Sequence, residues 1–388
     1  DGFGPSALLS CVVKAILAAE PRAVVTVWNK FARDFNRQLY AREVEAGRVT
    51  VRRVFNLARL ARPDGQVSLA GTLELLGDYA AHSAHYAADT DPASFDLVLD
   101  FGAPAAARWA ARHGIPSATI FDHSWSKTLE LIGGEEPGPA WRRLIDAIEA
   151  DERCVRRLFL FPPFLTPDPF PEHWRGLLPA ERVTVIDGVL NDPGDWSARQ
   201  AREFLGIGTG GQTVLIQGGG TDVWTQPLRT LLRQLRDRAA RSPLAARELN
   251  LVVWSPGLSD AGVAGCARVH RLKPVPGGTI QPLLAAIDFA IFRAGGGSVN
   301  DAIARRVPFV CVREPGQLQI EAILQECAAL GLTRAASLDE FQSDPLALVL
   351  AQCDWLRANA AVLRGRIAAI PNHAEQQLAR AVLALLEA

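Results

Sequence analysis

The chain of 388 residues contains no methionine. A polypeptide of this length ordinarily holds several, and the sequence opens at Asp1-Gly-Phe-Gly-Pro5, where a strand would be ending. We therefore expect the natural protein to carry residues that this sequence lacks, with motif spacings short by one at unknown points. An intact mass equal to 41.9 kDa would refute this. Cysteine is sparse: six residues, at positions 11, 154, 266, 311, 327 and 353, none spaced as CxxC. No disulfide framework can be read from them, and a reduced, cytoplasmic setting follows, with the thiols acting as small apolar residues. No apolar run approaches the roughly 20 residues that cross a bilayer, so no integral membrane segment is expected. No basic flank leads into an apolar secretion signal either. Charge of one sign is missing too: the formal net charge is -1, leaving no global field to recruit nucleic acid. His82 and His85 stand three apart on a helix-like stretch, but no third ligand is evident nearby, so no metal site is expected.

What is present is an alternation. Hydrophobic residues make up 48% and charged residues 21%, as in globular proteins, and the length suggests two domains. In the first half, strand-like runs at 23–28, 49–55, 95–101, 116–122 and 183–189 are interleaved with helix-like runs at 6–19, 31–46, 67–88 and 104–113. The turn-rich stretch 191–195 reads as a linker. Strand-like runs then recur at 213–217, 249–254, 269–276, 285–292, 307–312 and 332–335, with helical runs between them and to the C-terminus. The pattern predicts an α/β protein with parallel sheets and two domains, 1–190 and 191–388, the last helix being able to pack back on the first domain. A ligand cleft between the two is expected.

One segment carries most of the chemistry. Phe292-Arg-Ala-Gly-Gly-Gly-Ser-Val-Asn-Asp301 follows an apolar strand-like run and leads into a helix-like one. A strand, a glycine turn and a helix start present bare backbone N–H groups to an anion, and the peptide dipoles place about half a positive charge there. A diphosphate is the ligand such a place suits. A second strand-to-glycine junction, Gln217-Gly-Gly-Gly-Thr-Asp222, lies in the same half. The bland alternatives stay open: the glycines can serve only a tight turn, and Asp301 can serve only its helix start.

These residues resemble a known family. Arg293 to Asp301, then Pro308-Phe-Val-Cys-Val312, then 314–331, is similar to the C-terminal signature of GT-B glycosyltransferases, in particular the UDP-glycosyltransferase superfamily and the peptidoglycan GlcNAc transferase. Gly218-Gly-Gly-Thr221 is similar to the first loop of that family's C-terminal domain, and Leu283 to Phe292 to its helix-then-strand run. The resemblance covers about residues 213–332; the first half matches only in strand rhythm and in its glycine-rich opening loop.

The resemblance implies GT-B architecture: two Rossmann-like domains with a cleft between them, the donor on the C-terminal domain and the acceptor on the N-terminal one. The donor would be a nucleotide-diphosphate sugar, UDP- or dTDP-linked. Gly295, Gly296, Gly297 and Ser298 would contact the diphosphate, the loop Gly218, Gly219, Gly220 and Thr221 would help stabilise it, and Arg293 belongs to the same nucleotide-sugar site. Asp301 matches the family's ribose-binding acid, one methylene shorter than the usual Glu. Gln317, Gln319 and Glu321 fall where the family has sugar-binding residues, in a shifted register. Leu272 and Lys273 fall in the loop that faces the base. No cofactor or metal is implied. Many family members carry a histidine in the first glycine loop; Asp1-Gly-Phe-Gly-Pro-Ser6 has none. His123 with Asp122, at the C-terminal end of an apolar strand, is the substitute base, and Asp1 the second candidate. Two other readings share these residues: a nucleotide-sugar hydrolase or 2-epimerase on the same fold, and a non-catalytic nucleotide-binding regulator.

Overall fold

The computed structural model describes residues 3–387 apart from 30–32, 55–59, 62–66, 122, 136–137, 162–169, 193–195, 209, 220–221, 239–241, 256–257, 274, 276–278 and 315–317. The chain divides into two compact units, one formed by Asp1–Gly188 with His373–Ala388, the other by Val189–Asn372.

In the first unit, β1 (Val25–Trp28) pairs in parallel with β2 (Val49–Arg52). Alternation of Val with Thr or Arg in β2 puts Val49 and Val51 inward, where they meet Val13, Leu17 and Tyr40. A second parallel sheet takes the order β3 (Val98–Asp100), β4 (Ser117–Phe121), β5 (Leu158–Leu160), β6 (Val183–Val185). All five residues of β4 are buried, as expected of a strand covered on both faces. Helix Phe3–Ala19 packs along the C-terminal helix Ala374–Leu383.

The second unit holds one parallel six-stranded sheet. Its strands are β7 (Gln212–Gln217), β8 (Leu249–Trp254), β9 (Val269–Arg271), β10 (Phe289–Arg293), β11 (Phe309–Arg313) and β12 (Ala335–Ser337). Their order in space is β12-β11-β10-β7-β8-β9. The chain thus builds outward from β7 on one side, returns to the centre with β10, and builds outward on the other. Val214, Ile216, Leu251, Val253, Phe289 and Ile291 supply its core together with Trp224 and Phe341.

Several elements depart from the pattern read along the chain. The helical run 31–46 is two helices, Arg33–Leu39 and Ala41–Glu45, and 67–88 is broken at Gly77 into Leu69–Leu76 and Tyr79–Ala84. Strand β5 and helices Trp125–Gly133, Pro139–Glu152 and Phe170–Leu177 were not anticipated. β5 is three residues long, too short to display a period. Helix Pro139–Glu152 was legible: its buried Trp141, Leu144, Ile145 and Ile148 follow helical spacing. Helix Pro345–Ala368, with 24 residues, is by length and composition apolar enough to cross a membrane. It carries Asp354, Arg357, Arg364 and Arg366, and its Leu346, Val349, Cys353 and Leu356 lie in the core of the second unit.

Candidate functional site

Strands β7 and β10 are neighbours, with Ile216 opposite Ile291 and Gln217 opposite Phe292. Glycine follows each: Gly218 directly after β7, and Gly295 after Arg293-Ala294 at the end of β10. The two glycine turns therefore leave the sheet side by side, at the point where the strand order reverses. In open parallel sheets this switch point is where ligands bind, outside the carboxyl ends of the strands. Gly218 lies against Trp224, and Gly219 has φ +67°, a left-handed conformation that glycine adopts without strain. On the other side, Gly295 (φ -79°, ψ 138°) precedes helix Gly296–Ala304. Its own N–H is bonded to Arg293 O, and its carbonyl accepts from Val299 N. Among the described residues no side chain caps this helix, and no acceptor takes the N–H groups of Gly296, Gly297 and Ser298. Gln217 Nε2 donates to Ser298 Oγ at 3.1 Å, joining the two turns.

The flanking side chains are engaged within the second unit. Arg293 Nε lies 3.1 Å from Glu314 Oε2, a largely buried ion pair across the ends of β10 and β11. Burial lowers the Arg293 pKa, and Glu314 opposes that shift. Asp301 is half-buried and accepts a bond from Gln281 Nε2 at 2.8 Å. The same Gln281 amide donates to Leu190 O, and its oxygen accepts from Asp192 N. Asn300 pairs with both backbone groups of Leu190. Asp301 thus belongs to a polar network that fixes the start of this unit onto the helix. Burial pushes its pKa up to about 6, with the Gln281 and Asn300 hydrogen bonds opposing.

The remaining residues fall unevenly. The Leu272 side chain turns inward among Leu215, Val252, Leu283 and Ile287, and its N–H bonds Val253 O. Only its main chain can face the loop. Lys273 is exposed. Gln319 and Glu321 are half-buried, and Glu321 pairs with Arg313 at 3.2 Å. Asp1, Asp122, Gly220, Thr221 and Gln317 lie outside the described residues.

In the first unit, His123 follows β4 and is 7% exposed. Its ring packs against Phe121 at 4.4 Å between centroids and Trp125 at 5.3 Å. Trp125 Nε1 donates to Gly102 O, and a Cβ on Gly102 would meet the Phe121 ring, so the ends of β3 and β4 are in close contact. Two buried carboxylates near this turn escaped the reading of the sequence. Asp100 ends β3 and accepts from Thr119 Oγ1 at 2.6 Å and Ala103 N at 2.9 Å. Glu152 accepts from Trp125 N at 2.7 Å and Ser124 Oγ at 3.0 Å, and also from Ser126 Oγ, which sits 3.0 Å from His173 Nε2. Burial pushes both acids up to about 7. Asp100 could have been found as an acid closing an apolar strand. Glu152 ends an unrecognised helix, and no local signal marks it. Among the described residues no group of three or more His, Cys, Asp or Glu could hold a metal ion.

No protein-family model matches the chain. No curated protein matches it in sequence. Solved structures do match in shape. The chain is similar to the glycotransferase of kitacinnamycin, with TM-score 0.60 and 17% identity over 98% of this chain and 95% of that one. It is similar to a UDP-glucose: anthocyanidin 3-O-glucosyltransferase in complex with UDP, with TM-score 0.59 and 13% identity over 98% and 96%. It is also similar to a Listeria monocytogenes protein assigned as a UDP-N-acetylglucosamine 2-epimerase, with TM-score 0.56 and 12% identity over 98% and 92%. At these identities the likeness shows the fold: mixed α/β with two Rossmann-like domains, the GT-B fold of glycosyltransferases.

Proposed function

We propose that this chain is an inverting glycosyltransferase that moves a sugar from a nucleotide-diphosphate donor, UDP- or dTDP-linked, to a small-molecule or glycan acceptor. The observation that carries the proposal is the pair of glycine turns leaving β7 and β10 at the switch point, with no acceptor among the described residues for the N–H groups of Gly296, Gly297 and Ser298. The C-terminal domain, 191–388, would bind the donor and the N-terminal domain, 1–190, the acceptor. An acceptor hydroxyl loses its proton as its oxygen attacks the anomeric carbon, and the bond from that carbon to the diphosphate breaks. Charge that develops on the diphosphate is stabilised by the dipoles at Gly296 to Ser298 and by the Gly218–Gly219 turn. Asp301 Oδ2 would take a ribose hydroxyl, while Oδ1 stays with Gln281. His123, at the C-terminal end of β4, would act as base. No step asks for a metal. Six scattered cysteines, none spaced as CxxC, suit a cytoplasmic enzyme.

The test is a thermal-shift panel across UDP, dTDP and GDP, followed by donor consumption with candidate acceptors. UDP at about 100 times its Kd adds roughly 2.7 kcal/mol and raises Tm. No shift with any nucleotide overturns the proposal. A second reading, a nucleotide-sugar hydrolase or 2-epimerase, is favoured by the 2-epimerase among the similar folds. It consumes UDP-sugar with no acceptor added, whereas a non-catalytic regulator binds UDP and turns over nothing.

A further inference from the structure

We propose that Gln217 is a positioning residue for the diphosphate, acting through Ser298; this rests on the donor site proposed above. Gln217 is 6% exposed, so its amide is fixed in place at the end of β7. The Nε2 group donates to Ser298 Oγ at 3.1 Å, across the junction of the two glycine turns. A serine hydroxyl carries one hydrogen and two lone pairs. Because one lone pair is occupied by the Gln217 amide, the hydroxyl hydrogen turns away from Gln217. Among the described residues that hydrogen has no acceptor, and it leaves the first turn of helix Gly296–Ala304 beside the N–H groups of Gly296 and Gly297. With the N–H groups of Gly296, Gly297 and Ser298, the hydroxyl becomes a fourth donor aimed at the anion. Its hydrogen bond to a charged oxygen is about twice as strong as a neutral one, and donation from Gln217 polarises it further. Gln217 also ties the Gly218 turn to the Gly295 turn, so one buried amide sets the spacing of both walls.

The experiment is a double-mutant cycle on UDP affinity, measured by calorimetry on the full chain with Gln217→Met, Ser298→Ala and the pair together. Met is close to Gln in size and removes the amide without opening a cavity. We expect Ser298→Ala to weaken UDP binding by roughly tenfold or more. Gln217→Met should weaken it about three- to tenfold in the Ser298 chain and less than twofold in the Ser298→Ala chain. Gln217→Glu should weaken it further than Met, because the carboxylate captures the Ser298 hydrogen and repels the diphosphate. The Glu variant also keeps the test alive if the Met variant does not fold. Equal losses in both backgrounds, or unchanged or tighter binding by Gln217→Met, overturn the inference while leaving the donor site standing. No UDP binding by the unaltered chain overturns both.

Discussion

Adding one methyl group at Gly218 should destabilise this protein by about 3 kcal/mol, the upper end of the usual cost of overpacking. A Cβ built there would stand 2.3 Å from Trp224 Cγ, 2.4 Å from its Cβ and 2.8 Å from its Cδ1. Ordinary carbon contacts lie at about 3.5–4.0 Å, so the ring must retreat by more than about 1 Å. It has little room to do so. Trp224 is 0% exposed and tilts against Phe341 at 4.8 Å, inside the core that also holds Leu228, Leu231 and Leu232. The backbone at Gly218 is not left-handed, so sterics alone set the cost. Gly219 is the internal control. Its φ of +67° disfavours a side chain, but nothing among the described residues lies within 4 Å of its Cβ position. Gly219→Ala should cost about 1–2 kcal/mol from backbone conformation alone, and Asn, which tolerates that region, should cost less than Ala. At Gly218 the order reverses, because Asn is larger. Equilibrium urea denaturation reads both: with a slope near 3 kcal/mol per M, Gly218→Ala should lower the midpoint by about 1 M. A loss below about 0.5 kcal/mol for Gly218→Ala, or Asn better tolerated than Ala there, would refute the reasoning.

Three further outcomes are expected. Arg293→Met should cost about 3–5 kcal/mol by removing the guanidinium charge that faces buried Glu314, and adding Glu314→Leu should recover most of it; equal losses in the single and double variants would contradict this. Asp100 and Glu152 have their folded pKa raised to about 7 from 3.8 and 4.5, so between about pH 4 and 7 the folded chain holds protons that the unfolded chain releases. Their contribution to stability is therefore present at low pH and lost as pH rises through that window; Asp100→Asn should flatten the fall in unfolding free energy from pH 4.5 to 8, and an unchanged profile counts against it. His123→Ala should cut turnover by about 10²-fold or more while UDP affinity stays within about twofold, and wild-type rates would exclude His123 as the base.

Much of the second domain was legible because its signals are local. Apolar runs of five or six residues marked β7, β8, β10 and β11, and the glycine triplets after β7 and β10 marked the turns, since only local backbone freedom is needed to write such a junction. The first domain was less legible. Its strand β5 shows no period, and helices Pro139–Glu152 and Trp125–Gly133 carry Glu152 and Ser126, which are bonded to each other close to the His123 turn. Asp301 was read for its position one turn into a helix; its bond to Gln281, twenty residues upstream, has no local mark.

By itself the amino-acid order determined where the chain can run extended, where it must turn, and which stretch begins a helix on glycine without a side-chain cap, because propensity and periodicity act over a few residues. Pairing of β7 with β10, which brings together two glycine turns some eighty positions apart and sets Gln217 beside Ser298, was decided only by the folded sheet. The physical reason is that strand order follows from how helices cover both faces of the sheet, a choice made by the whole core and written in no single segment.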